Sequence, residues 1–269
     1  MNRDTLCKLH EYELKILDEL DRICSKYNLK YYLAFGTLLG AVRHHGFIPW
    51  DDDVDVCMPR EDYEKLSEIV DIELKDGFFF QSEQTDAAWC RLYSKIRIDN
   101  TLFIESKVAH VERHQGIFID VFPLDKTNKK GKIYEAIKQK YVNVVNAQII
   151  MSKGELPINW KHKIMRLILP NSIFYRIREK WKCGKGEYYV GYGGVYGVLK
   201  ETMPISCYDP PIKLEFEGKE YSAPRNYEYI LTHIYGKNYM TLPPENERIT
   251  HNPIRLSFDI NGPDEVLDD

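Results

Sequence analysis

Apolar residues recur at helical spacing near the start of the chain. Leu6, Leu9, Ile16, Leu17, Leu20, Ile23 and Cys24 predict an amphipathic helix from Thr5 to Tyr27, stopped by Asn28. Tyr31 to Phe35 reads as a first strand, and Leu38 to Val42 as a short helix after a Gly36-Thr37 turn. Val54 to Met58 is a buried-strand candidate. Pro59 then suits a first helical position before a helix over Arg60 to Val70. Phe78 to Gln81 is another strand. Leu92 to Ile98 and Thr101 to Glu105 read as a hairpin about Asp99-Asn100. Gly116 to Leu124 forms a strongly apolar strand, and Lys132 to Met151 a helix with mixed faces. Trp160 to Lys182 splits into two basic amphipathic helices at Pro170-Asn171-Ser172, with Asn171 or Ser172 capping the second. A hairpin over Lys213 to Phe216 and Glu220 to Ala223 follows, in the main sheet or as a flap. Asn226 to Tyr235 is then a helix ended by Gly236. Tyr239 to Pro244 is an extended cover. The pattern predicts an α+β fold: a mixed sheet flanked by helices, with a helical insertion.

The 269 residues suffice for one large domain or a domain with an appendage. We expect a core over 1–128, a basic helical insertion over 129–190, and a segment over 191–269 that completes the core and covers the site. A formal net charge of −4 gives no general drive towards nucleic acid, so none is expected as a partner. Cys7, Cys24, Cys57, Cys90, Cys183 and Cys207 form no C-x-x-C pair, which leaves a zinc site with little support. The N-terminus carries no apolar signal core and no apolar run approaches a membrane span. We read a cytoplasmic protein with reduced thiols. The basic helices suit contact with the inner face of an anionic membrane, or else a solvated basic face on a packed helix.

The chemistry concentrates in Asp51, Asp52, Asp53 and Asp55, hemmed by Ile48, Pro49, Trp50, Val54 and Val56. Strand alternation would put Asp51, Asp53 and Asp55 on one face and turn Asp52 away. At an effective dielectric near 20, each close pair of such charges costs on the order of 4 kcal/mol at 4 Å. Hard divalent cations, Mg²⁺ or Mn²⁺, would relieve that repulsion. Gly36 offers close backbone approach to a phosphate, and Thr37 a hydroxyl or a helix cap. Arg43 is read as a phosphate ligand or as a salt bridge to an aspartate. Lys95 and Arg97 share one face of their strand and could hold a diphosphate or simply face water.

The run GTLLGAVRHHGFIPWDDDVDV resembles the signature of the LicD family, which is similar to the nucleotidyltransferase superfamily. Phe35-Gly36-Thr37 matches that superfamily's turn, with Thr for Ser, and Asp53-Val54-Asp55-Val56 matches its acidic pair. Asp120 in GIFIDVFPLD fits the third carboxylate, and YILTHIYGKNYMTLPPENER resembles the family's C-terminal motif. The resemblance implies a nucleotidyltransferase-like core. Asp53, Asp55 and Asp120 would be catalytic, Asp51 would join them as metal ligand, and Asp120 would be a shared ligand or the base. Arg248 and His251 would approach the site. The implied reaction moves phosphocholine from CDP-choline to a sugar hydroxyl of a teichoic acid or lipopolysaccharide precursor, lipid-linked, releasing CMP. Trp50, Trp89 and the tyrosines could box the quaternary ammonium. Transfer from a CDP-polyol, nucleotidyl transfer, and a metal-stabilised binding module without turnover are the competing readings.

Overall fold

The computed structural model describes every residue except those at 159, 183, 249, 252, 266, 268 and 269, together with all described side chains but those of Lys132 and Arg166. The Cys183 thiol and the Arg166 contribution to the basic face therefore lie outside the described residues. The helices are α1 (Arg3–Tyr27), α2 (Phe35–His44), α3 (Arg60–Glu73), α4 (Lys132–Ser152), α5 (Trp160–Ile168), α6 (Asn171–Lys182), α7 (Val198–Glu201) and α8 (Tyr227–Tyr235). The strands are β1 (Tyr32–Leu33), β2 (Asp55–Pro59), β3 (Phe78–Gln81), β4 (Ser94–Ile98), β5 (Leu102–Glu105), β6 (Phe118–Thr127), β7 (Tyr188–Val190), β8 (Met203–Pro204), β9 (Ile212–Phe216), β10 (Lys219–Ala223) and β11 (Pro253–Ser257).

The main sheet runs β1-β2-β6-β4-β3, with β7 on the far end of β6 and β8 beside β7. β2 and β6 pair in parallel and every residue of β2 is buried, as expected of a strand covered on both faces. The other pairings are antiparallel, which makes the sheet mixed and the fold α+β. α1 buries Leu9, Ile16, Leu17, Leu20 and Ile23 in the core that includes Val56, Met58, Ile119 and Val121. It opens on Asn2, whose side chain accepts from the Thr5 amide, and closes on Asn28 in the left-handed conformation. α8 begins and ends as predicted: the Asn226 side chain accepts from the Tyr229 amide, and Gly236 stops the helix at φ 90°.

The Leu92–Glu105 hairpin does not form. Both edges of β4 are already taken, by β3 and by β6. β5 instead pairs with β11 from the far end of the chain. The predicted β9–β10 hairpin does form, as a two-stranded sheet separate from the main one. Asn171 is the first residue of α6 rather than an external cap, and its side-chain oxygen has no hydrogen-bond partner. Helices α4 and α6 share a small core of Val145, Ile149 and Phe174 with Cys90.

Candidate active site

The site grows from the strand-to-helix turn at β1–α2. Phe35, the first residue of α2, sits at φ 42°, a region that costs a non-glycine residue of order 1–3 kcal/mol. Its ring packs against Phe122 and Tyr196, which holds the turn. The helix therefore starts three residues earlier than its apolar pattern predicts, and Gly36 and Thr37 lie in its first turn. Gly36 must lack a side chain, because a Cβ there would sit 2.5 Å from Asp51 Oδ2. The Thr37 hydroxyl neither caps the helix nor faces open space. It accepts from the Asp55 amide at 2.8 Å and ties α2 to the start of β2.

Strand register brings the distant acids together. Asp55 stands opposite Asp120 across β2–β6, and Lys95 stands opposite Asp120 across β6–β4. Oxygens of Asp53, Asp55 and Asp120 lie within 4.8 Å of one another. Lys95 Nζ approaches Asp120 Oδ1 at 2.6 Å as a buried ion pair, and that oxygen takes no other hydrogen bond. A second group within 4.8 Å joins Asp52, Asp53 and His251. The fully buried Asp52 carboxylate accepts from the His251 amide at 2.9 and 3.0 Å and lies 3.1 Å from Nδ1.

Asp51, Asp53 and Asp55 do face one cavity while Asp52 turns away from it, although residues 51–54 are not strand and β2 begins only at Asp55. Asp52 turns inward to His251, and Asp51 belongs to neither acidic group, its carboxylate lying against Gly36. The His10 ring meets the Asp51 carbonyl at 2.8 Å and fixes the loop from the α1 side.

A cavity of about 700 Å³ opens over these residues. Gly36, Arg43, Asp51, Asp53, Asp55 and His251 line it, with Trp50, Tyr196, Tyr235 and Tyr239 as aromatic wall. Arg43 donates to the Tyr239 carbonyl at 3.0 Å and to His44 at 2.9 Å rather than to an aspartate. Asp120 and Lys95 reach the site through the acidic group and do not line the cavity. Arg97 is placed away from it. Its guanidinium is buried, donates to Gln81 Oε1 and the Gly116 carbonyl, and lies near the Phe118 ring. Arg248 stacks 4.3 Å over Trp50, pairs with Glu245 and does not line the cavity. Trp89 is buried elsewhere, its indole donating to the Tyr93 carbonyl.

The electrostatics follow from crowding acids away from water. Burial, then its acidic neighbours, raise Asp51 to about 8. Burial raises Asp53 to about 6 with help from Asp120, against the pull of His251. Asp55 is raised well above its ordinary range by burial and by Asp53 and Asp120. Burial would lower His251, but its bond to Asp52 and the Asp53 charge outweigh it and lift the ring to about 9. Sequence reasoning missed Asp52 and His251 as a locked pair. It also missed Glu13, a buried acid of α1 raised well above its usual range by burial and by the aspartates. Glu13 interrupts the apolar stripe between Leu9 and Ile16, the one sign of it in the pattern.

The donor set fits a hard divalent cation. Three carboxylates converge, one oxygen of Asp120 is buried with only Lys95 against it, and two of the three acids are held up in pKa by burial and by their acidic neighbours.

The profile of the family described as LicD/FKTN/FKRP, nucleotidyltransferase domain, matches residues 28–150. The chain is similar to the lipopolysaccharide cholinephosphotransferase LicD of Haemophilus influenzae, 30% identical over 255 residues, which span 89% of this chain and 92% of that protein. An uncharacterised protein of Rickettsia prowazekii is 30% identical over 112 residues, 42% of this chain and 38% of its own length. An uncharacterised protein of Rickettsia typhi is 41% identical over 56 residues, 21% of this chain and 18% of its own.

Proposed function

We propose that this chain, which belongs to the LicD family and is a phosphotransferase, carries phosphocholine from CDP-choline to a sugar hydroxyl of a lipopolysaccharide or teichoic acid precursor. The observation that supports it is the meeting of Asp53, Asp55 and Asp120 beside Lys95 under a cavity of about 700 Å³. A similar protein over nearly its whole length is a lipopolysaccharide cholinephosphotransferase.

In the proposed reaction the acceptor oxygen bonds to the phosphorus that bears choline. The bond from that phosphorus to the bridging oxygen breaks, and its electron pair leaves with CMP. The hydroxyl proton passes to a carboxylate that lines the cavity, Asp53 or Asp55, while Asp120, its Oδ1 buried against Lys95, serves as a shared ligand. The first turn of α2, with Gly36 bare, supplies a helix N-terminus for the donor phosphates, and Arg43 adds charge from the same cavity. His251, charged at neutral pH, holds Asp52 and Asp53 in place and offers a second cation near the phosphates. Asp53, Asp55 and Asp120 would hold Mg²⁺ or Mn²⁺, which supplies neutralisation of the transferring phosphoryl oxygens. Tyr196, Tyr235 and Tyr239 offer ring surface for a quaternary ammonium.

The test is product analysis with CDP-choline, CDP-ribitol and CTP as separate donors, with Mg²⁺ or Mn²⁺ and a glycan acceptor. CMP release that depends on acceptor and is fastest with CDP-choline supports the reading. Faster release from CDP-ribitol reassigns the donor. Pyrophosphate from CTP with no CMP from either CDP-alcohol overturns it in favour of nucleotidyl transfer.

A further inference from the structure

The helical segment carries a feature that the transfer chemistry does not use. Residues 129–182 hold thirteen lysines and arginines against three glutamates, in a chain whose net charge is −4. Two of the three glutamates, Glu135 and Glu155, are buried, and Glu155 is neutralised by Arg91 and Arg113. Among the described residues, no exposed carboxylate therefore stands between 129 and 178. The same region is apolar on the outside. Of the nineteen large apolar side chains left exposed among the described residues, eleven fall between 133 and 168. A surface this rich in both properties is unusual for a chain that folds alone.

On α5 the two properties are arranged for an interface. Trp160, Ile164, Leu167 and Ile168 share one side of the helix and are 66%, 48%, 87% and 72% exposed. Lys161 and Lys163 flank that stripe, and Met165 and Leu169, on the opposite side, pack onto the small core of α4 and α6. The helix is thus anchored by one face and presents the other, apolar at the centre and cationic at the edges. α4 leaves a second stripe exposed at Ile133, Ile137, Tyr141 and Val144. No described helix is long and apolar enough to cross a membrane.

We propose that α5 is a peripheral docking element for an anionic lipid surface, its apolar stripe entering the interface between headgroups and chains while Lys161 and Lys163 meet the lipid phosphates. The lack of exposed acids between 129 and 178, among the described residues, makes a negatively charged partner favourable and a cationic one unfavourable. Trp160 at one end suits the headgroup level, where an amphipathic ring has both environments it needs. The inference rests on charge and exposure alone and stands whether or not the donor is CDP-choline.

The test is sedimentation of the full chain with large vesicles of phosphatidylcholine containing phosphatidylglycerol, against vesicles of phosphatidylcholine alone. Binding should require the anionic lipid and weaken as salt rises. The double variant L167E/I168E should bind about a hundredfold more weakly. Both side chains already face solvent, so folding is expected to survive, and circular dichroism with an unchanged melting temperature checks it. Release of CMP with a soluble acceptor should be unaltered in this variant, which separates membrane docking from the reaction itself. Equal binding of wild type and variant, or no preference for anionic vesicles, overturns the proposal. Concentration-dependent self-association without vesicles, abolished by the same variant, also overturns it and makes the stripe an interface between protein chains.

Discussion

Protons and divalent cations should compete for the same carboxylates, and stability should report the competition. Unfolded, Asp53 ionises near 3.8; folded, it does so at about 6. Below the lower value both states hold the proton and nothing is lost. Between the two values the folded chain keeps a proton that the unfolded chain has released, so stability falls as pH rises. Above the upper value the full cost persists: at 1.36 kcal/mol per unit, about 3 kcal/mol. Asp55, raised well above its ordinary range, and Asp51, raised to about 8, act in the same direction, and Asp51 carries the decline towards pH 8. A cation at a hundred times its dissociation constant returns about 2.7 kcal/mol, comparable with the Asp53 cost. Because it binds only the ionised acids, that return grows with pH. The assay is urea unfolding across this range, with chelator and with saturating Mg²⁺. The midpoint should drop with pH in chelator and drop less steeply with Mg²⁺, and D53N should shrink the difference. Two superimposable pH profiles for the wild type would refute the idea that these acids seat a cation.

Further outcomes follow from single contacts. D53A should abolish transfer with the fold retained by circular dichroism, and a variant that keeps a tenth of wild-type rate removes Asp53 from the chemistry. G36A places a Cβ 2.5 Å from Asp51 Oδ2. The displaced loop should lower kcat/KM by about ten- to a hundredfold, read by initial rates, whereas unchanged kinetics would mean that the approach of Asp51 to Gly36 is incidental. R60A strands Asp125, which is buried and accepts two bonds from Arg60 at 2.8 and 2.9 Å. Denaturant unfolding should show a loss of about 3–5 kcal/mol, with the rate per folded molecule unchanged.

What the sequence discloses depends on how local the cause is. α1 and α8 are set by their own apolar spacing and caps, so their limits are readable within a few residues. The hairpin predicted over Leu92–Glu105 fails because local turn chemistry at Asp99-Asn100 says nothing about which edges of β4 are vacant. That information resides in β6, some twenty residues on, and in β11 at the other end of the chain. The candidate site divides in the same way. Asp53 and Asp55 are legible because acids wedged between apolar residues are conspicuous, and Asp120 because it interrupts an apolar strand. The pairing of Lys95 with Asp120 is a consequence of register, which face alternation alone cannot deliver. Arg97 shows the limit of that argument: it shares a face with Lys95, yet two residues along the strand its guanidinium meets Gln81 and Gly116 instead of the cavity.

The loop from Ile48 to Val54 shows most clearly why position must be built from both ends of the chain. Its acids repel one another and have no strand ladder to hold them. It is fastened instead by His10 at the Asp51 carbonyl, by Thr37 at the Asp55 amide, and by His251 at Asp52. The last contact reaches across 199 positions of sequence and places a charged imidazole 3.7 Å from Asp53. That charge lies among the acids, so the C-terminal segment both lines the cavity and offsets part of the repulsion between the carboxylates. Removing the ring with H251A should therefore raise the Asp53 pKa above about 6 and shift Mg²⁺ binding to higher pH, while H251K should restore much of the wild-type profile. Calorimetric titration of Mg²⁺ across pH reads both. An H251A profile that coincides with wild type would mean that the fastening is mechanical and that the charge of the ring does not reach the site.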